Sequence, residues 1–185
     1  KAGSNNVQVI DVANGHTLTK LYTGATPWRL QISPNKQQLW VQHWYAERTT
    51  VVDLGKHTIT ATLPLRGPGM FNKKGDLFYS FSWPNNALSI YNTTKMSLRE
   101  TKETEIKHAF DLALPGAEGR LLVGQYDPIT KVKRPLYDYV FPYNLKKGES
   151  GVPIQSGDSS ARLRLDPTGE FVVAANFDGQ ELILI

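Results

Sequence analysis

A short motif returns along this chain at a spacing close to 40 residues. Val9-Ile10-Asp11-Val12 reappears as Val51-Val52-Asp53-Leu54, Ile90-Tyr91-Asn92-Thr93 and Pro142-Tyr143-Asn144-Leu145. The polar third residue stands at 11, 53, 92 and 144, at intervals of 42, 39 and 52. A period of this length in strand-rich sequence marks stacked or radial β units, so it narrows the architecture before any single residue is weighed. Helix evidence is thin. Only residues 98–107 are rich in helix formers, and they lack an apolar stripe; their alternation suits an exposed outer strand.

One unit can be written out. Residues 28–33 form a strand, turned by Pro34-Asn35-Lys36; residues 39–43 form the next, and a loop follows. Residues 50–54 form a third, turned by Gly55-Lys56, and residues 58–63 a fourth, with Thr alternating against apolar positions. Four strands joined by short turns make an antiparallel meander. The same order is expected at 70–104, at 109–141 and at 161–185, where Arg162-Leu163-Arg164-Leu165-Asp166-Pro167 matches Arg29-Leu30-Gln31-Ile32-Ser33-Pro34 in residue character. A single meander cannot bury both faces, so the units must pack face to face about an axis. The expected fold is all-β, a β-propeller of four-stranded antiparallel blades.

The units resemble the YVTN family of β-propeller repeats. The family's Gly and Pro before the first strand correspond to Gly24 and Pro27, and its Ser-Pro-Asp-Gly-like turn to Ser33-Pro34-Asn35. The Tyr-Val-Ala-Asn-like second strand corresponds to Trp40-Val41-Gln42-His43 and the third strand to Val51-Val52-Asp53; the last unit offers Asp166-Pro167-Thr168-Gly169 and Val173-Ala174-Ala175-Asn176. The resemblance fades in the middle, where residues 126–136 are inserted. It specifies a fold better than an activity. Residues 1–185 read as a single propeller domain or part of one, with units at about 1–23, 24–65, 66–104, 105–156 and 157–185. Because the first and last strands are both of the third type, the expectation is about four blades of a larger ring, for example seven-bladed. The alternative is a closed four-bladed ring.

Composition sets outer limits. At 40% hydrophobic and 21% charged the chain is ordinary for a globular protein, and no apolar run is long enough to span a bilayer. The absence of cysteine removes disulfides and thiolate metal sites; it suits an exported protein held by packing alone and a cytosolic one equally. Export to the periplasm, the medium or the cell surface is the expectation. The net charge of +4 is spread over short clusters such as Lys73-Lys74 and Lys146-Lys147, each beside turn residues. Nucleic acid is therefore not an expected partner.

Candidate site residues follow from the repeat. First strands line the axis of a propeller, and alternation sets Arg29 and Gln31 apart from Leu30 and Ile32, as it sets Arg162 and Arg164 apart from Leu163 and Leu165. If the apolar partners face the blade stack, the polar ones converge on the channel. Guanidinium groups hold carboxylate or phosphate bidentately, which makes an anionic ligand the sharp reading. The plainer reading is that these side chains meet water or pair with Asp111 and Asp166. His43 ends a second strand and His108 begins a first one, so both are candidates for the channel mouth, where a neutral imidazole could ligate haem iron or a metal. His16 and His57 occupy corresponding turns and are read as turn residues, as are Asp11 and Asp53. Trp44, Tyr45 and Trp83 lie in loops after second strands, at a rim where exposed aromatics make good contact groups, and with His43 they form the expected rim-binding set.

No nucleophile elbow, phosphate-binding loop, His-Glu-x-x-His or EF-hand is present. The expected function is a non-catalytic binding or scaffold module without a cofactor, presenting rim loops to a protein partner or packing against remaining propeller blades. The alternative is a haem-binding or lactonase-like enzyme with its site at the central channel.

Overall fold

The computed structural model describes residues 5–44, 46–82, 85–116, 119–126, 139–157, 160–176 and 182–185, and among them every regular element is a strand. The strands group into antiparallel sheets, each made of segments consecutive in sequence. A hairpin of β1 (Val7–Ile10) and β2 (Thr17–Leu21) comes first. A four-stranded meander follows: β3 (Pro27–Ile32), β4 (Gln38–His43), β5 (Thr49–Asp53) and β6 (Thr58–Leu63). A second comprises β7 (Gly69–Phe71), β8 (Leu77–Ser82), β9 (Ala87–Asn92) and β10 (Ser97–Glu103). As its alternation suggested, β10 is an exposed outer strand. The next sheet holds β11 (Ala109–Ala113), β12 (Arg120–Gln125) and β13 (Tyr139–Asn144), with β14 (Glu149–Ser150) and β15 (Ile154–Gln155) both paired to β13. The last is β16 (Ser160–Leu165), β17 (Val172–Asn176) and β18 (Leu182–Leu184). The chain forms two compact units: residues 1–67, 71–80 and 89–100 make the first, and residues 68–70, 81–88 and 101–185 the second.

The repeating marker is explained by turn chemistry. In each unit the Asp or Asn turns its side chain back to accept from amides of the turn between third and fourth strands. Asp11 accepts from Ala13 N at 2.9 Å, and Asp53 from Gly55 N and Lys56 N, both at 2.9 Å. Asn92 accepts from Lys95 N at 2.7 Å, and Asn144 from Lys146 N and Lys147 N at 3.0 Å. Four residues after each marker the backbone turns left-handed, at Gly15 (φ 75°), His57 (52°), Met96 (49°) and Gly148 (78°). Glycine takes this conformation freely, whereas His57 and Met96 hold it at a cost of about 1 kcal/mol.

Burial follows register. In the first unit Leu39, Val41 and Val52 share one face of the β3–β6 sheet and pack against Val7 and Leu21 of the β1–β2 hairpin. The opposite face carries Trp40 and Val51, packed with Leu63, Leu65, Phe71, Phe78 and Tyr91. The Trp40 ring is fully buried, with its centroid 4.4 Å from that of Phe78 and 5.2 Å from that of Phe71. In the second unit Ala113, Leu122 and Val140 of the β11–β15 sheet pack on Leu163, Val172 and Ala174 of the β16–β18 sheet.

The first strand β3 departs from expectation. Leu30 and Ile32, expected to face packing, are 51% and 58% exposed, while Arg29 is buried. The hairpin covers β4 and β5 on that face but not β3. On β16 the expectation holds in part: Leu163 is buried and Arg164 exposed, but Leu165 is 38% exposed.

Candidate functional site

The sheets share a local construction where a first strand begins and a second strand ends. β3, β11 and β16 each carry a bulge at their start, at Pro27/Arg29, Ala109/Asp111 and Ser160/Arg162. Just before it the chain is left-handed at Thr26 (φ 51°) and His108 (φ 51°). The carbonyls of Thr26, Pro68 and His108 accept from the amides of Trp44 (3.0 Å), Phe81 (2.9 Å) and Tyr126 (3.1 Å). An extra residue at this point bends the strand and re-aims its side chain, which is how Trp28 and Phe110 reach across to the following loop.

In the β3–β6, β7–β10 and β11–β15 sheets a buried polar side chain near the end of the second strand ties it to a carbonyl ahead of the first. His43 Nδ1 lies 2.7 Å from Ala25 O, and Gln125 Nε2 donates to Lys107 O at 2.5 Å. Ser80 Oγ donates to Arg66 O at 3.5 Å. Asn176, at the corresponding place in β17, is likewise buried. His43, the last residue of the Tyr-Val-Ala-Asn-like pattern in the first unit, is therefore a structural latch.

This corrects the reading of His43 as a residue of the channel mouth. It is 1% exposed. Because a carbonyl only accepts, Nδ1 carries the proton, and Nε2 faces Thr50 Oγ1 at 3.1 Å, where it shares the single hydroxyl proton with the Thr23 carbonyl, 2.9 Å from the same oxygen. Both ring nitrogens are engaged, so neither is offered to a metal or haem iron. Burial pushes the imidazole pKa below its ordinary value; the Ala25 bond opposes that shift, and the Arg48 charge adds to it.

In the first unit the edges of this construction are aromatic. The rings of Trp28 and Trp44 meet edge to face, centroids 4.8 Å apart, both half-buried. Arg29 beside them is not an open cation. With the Gln31 amide oriented to satisfy both groups, its oxygen accepts from Arg29 Nε at 3.2 Å and Nη2 at 3.3 Å.

In the second unit Phe110 and Tyr126 take the places of Trp28 and Trp44, centroids 5.1 Å apart at 76°. The Arg162 guanidinium carbon lies 5.1 Å from the Phe110 ring centroid, within cation–π range. His108 adjoins them, half-buried. Arg164 follows the plainer of its two expected readings: Nη1 meets Asp111 Oδ2 at 3.0 Å and also donates to Leu163 O at 2.7 Å. Asp111 is fully buried and accepts from Leu112 N (2.8 Å) and Leu163 N (3.1 Å), so its carboxylate ties β11 to β16. Asp166 serves its own turn instead. The Thr168 hydroxyl, then the Phe171 amide, draw its pKa down to about 2.

Of the expected rim residues, Trp44 is half-buried in its pair, and Tyr45 and Trp83 lie outside the described residues, as do residues 127–136 of the insertion. The pair Phe110–Tyr126 and the latch Gln125 were missed from sequence. The signal was available: Val123-Gly124-Gln125-Tyr126 stands in phase with Val41-Gln42-His43-Trp44. Among the described residues no group of three or more His, Asp or Glu side chains is placed to hold a metal ion.

Consecutive antiparallel meanders that bury apolar faces against one another define a β-propeller, and solved structures agree. The chain is similar to a chain of Kuenenia stuttgartiensis hydrazine synthase, with TM-score 0.75 and 15% identity over 91% of this chain and 49% of that one. It is similar also to a chain in the crystal structure of a mitotic checkpoint complex, with TM-score 0.77 and 15% identity over 98% of this chain and 55% of that one. The chain thus spans about half the length of each. At this identity the likeness concerns the fold. No protein-family model and no curated protein matches the sequence. No helix among the described residues is long and apolar enough to cross a membrane.

Proposed function

We propose that the chain is a non-catalytic binding module of YVTN-type propeller repeats, exported from the cytoplasm, that engages a protein partner through the loops joining second to third and fourth to first strands. The observation that carries this is the aromatic pair repeated at one topological position: Trp28–Trp44 in the first unit, and Phe110–Tyr126 with Arg162 in the second. The latch residues His43, Ser80 and Gln125 are each followed by an aromatic residue; Phe81 is buried in the core, whereas Trp44 and Tyr126 are half-buried and keep part of their rings at the surface. Large rigid rings and arginine are the side chains that dominate protein–protein binding energy. The mitotic checkpoint complex is by its title an assembly, and a role in assembly fits the same surface here.

The test is site-specific photo-cross-linking in the source cell, with the reactive group at position 46 or 126. Control positions are 56 and 73, in turns at the opposite ends of the strands. A discrete adduct from the first two positions and none from the controls is expected. Equal labelling from both ends, or no adduct from 46 and 126, refutes the surface. Fractionation of the same cells decides export.

A further inference from the structure

The face of the β3–β6 sheet that receives the β1–β2 hairpin is only partly covered. Leu30 lies opposite Val41 and Ile32 opposite Leu39, so both belong to the face on which Val7 and Leu21 pack. They nevertheless remain 51% and 58% exposed. At the equivalent places on β16, Leu163 is 1% exposed, because Ala113 of β11 and Leu122 of β12 pack with it, and Leu165 nearer the strand end is 38% exposed. Those are the first and second strands of their sheet.

The hairpin cannot provide that cover. Its Asp11 turn is built like the Asp53 and Asn144 turns, which identifies β1 and β2 as third and fourth strands. Among the described residues β1 pairs only with β2. Its other edge corresponds to the edge of β5 that receives β4 and the edge of β13 that receives β12. The uncovered leucine and isoleucine and the open strand edge therefore call for the same two strands.

We propose that Leu30, Ile32 and the open edge of β1 form the docking site for a two-stranded antiparallel hairpin of the chain's own repeat type, supplied by propeller sequence outside residues 1–185. Its second strand pairs with β1, giving a sheet in the order seen for β3–β6, and its small apolar side chains cover Leu30 and Ile32 as Ala113 and Leu122 cover Leu163. The similar solved chains are about twice as long as this one, room enough for such strands.

The experiment appends a second copy of residues 109–125 ahead of Lys1, so that residues 1–6 become the connection. This six-residue linker is one residue longer than the five that join β4 to β5. The expected result is a melting midpoint raised by about 5 °C and amide exchange at Val7–Ile10 slowed about tenfold, as for an edge strand becoming internal. Both gains disappear with Ile32→Asp in the host or Leu122→Asp in the appended copy. A folded fusion with unchanged midpoint and exchange overturns the proposal, as does a gain that survives Ile32→Asp. Should the fusion aggregate, the 109–125 peptide added in trans supplies the readout, and absence of protection at β1 overturns it equally. A dimer of the unmodified chain that Ile32→Asp dissociates would assign the face to a second copy and overturn it as well.

Discussion

Replacing Asp111 tests how the second unit holds its sheets together. Its carboxylate is fully buried and receives the Leu163 amide from β16 at 3.1 Å, besides the Leu112 amide and the Arg164 guanidinium. Asp111→Ala leaves the Leu163 N–H without its acceptor, a loss worth about 1–3 kcal/mol for a buried donor. The Arg164 side chain is 69% exposed, so solvent screens the ion pair and holds its share below about 1 kcal/mol. Together these give about 3 kcal/mol, or a midpoint lowered by roughly 6–12 °C. Arg164→Ala keeps both amide donors on the carboxylate and should cost about 1 kcal/mol. Asp111→Asn keeps an acceptor for Leu163 and falls between them. Urea unfolding of the two alanine variants and their double mutant measures the coupling, and amide exchange at Leu163 shows where the structure loosens. If Arg164→Ala costs as much as Asp111→Ala, with a coupling above about 2 kcal/mol, the charge pair is the true tie and the reasoning from amide donors fails.

Two further perturbations isolate single terms. His43 has a depressed pKa in the folded protein, so below about pH 6.5 the unfolded chain binds a proton that the folded one does not. Stability is therefore full above pH 6.5, falls as pH drops through that value, and levels off below the folded pKa. His43→Gln, which imitates the latch at Gln125, should flatten urea midpoints between pH 8 and 5; an unchanged slope would show that the imidazole is not the titrating group. Gly15 has φ 75° and open space where a Cβ would stand, so Gly15→Ala isolates backbone strain. It should lower stability by about 1 kcal/mol, whereas His57→Gly, at φ 52°, should raise it by about 0.5 kcal/mol. Equal and opposite shifts in thermal midpoint would not be expected, because glycine also loosens the unfolded chain; a loss on His57→Gly would refute the strain at that turn.

The repeat was legible because each of its marks answers to local chemistry. Asp53 and Asn144 announce a turn because their side chains reach amides two and three residues on, and such bonds need nothing from the rest of the fold. His43 was misread for the opposite reason. Its role depends on Ala25 and Thr50, 18 and 7 residues away, and a histidine beside Trp44 looks the same in sequence whether it is buried or open. Arg29 and Arg162 make the same point from equivalent positions. Alternation gives both a side opposite to the neighbouring leucine, yet Arg29 is buried beside Gln31 while Arg162 lies half-exposed over Phe110. Period 2 assigns a side chain to a face, but the next sheet decides whether that face is wet. For β16 the neighbour is β11–β12, and for the same face of β3 it is a hairpin that reaches only β4 and β5. Equivalent letters therefore acquire different surroundings wherever neighbouring sheets differ in strand number. On β3 that difference shows as exposed Leu30 and Ile32 rather than as a polar channel wall.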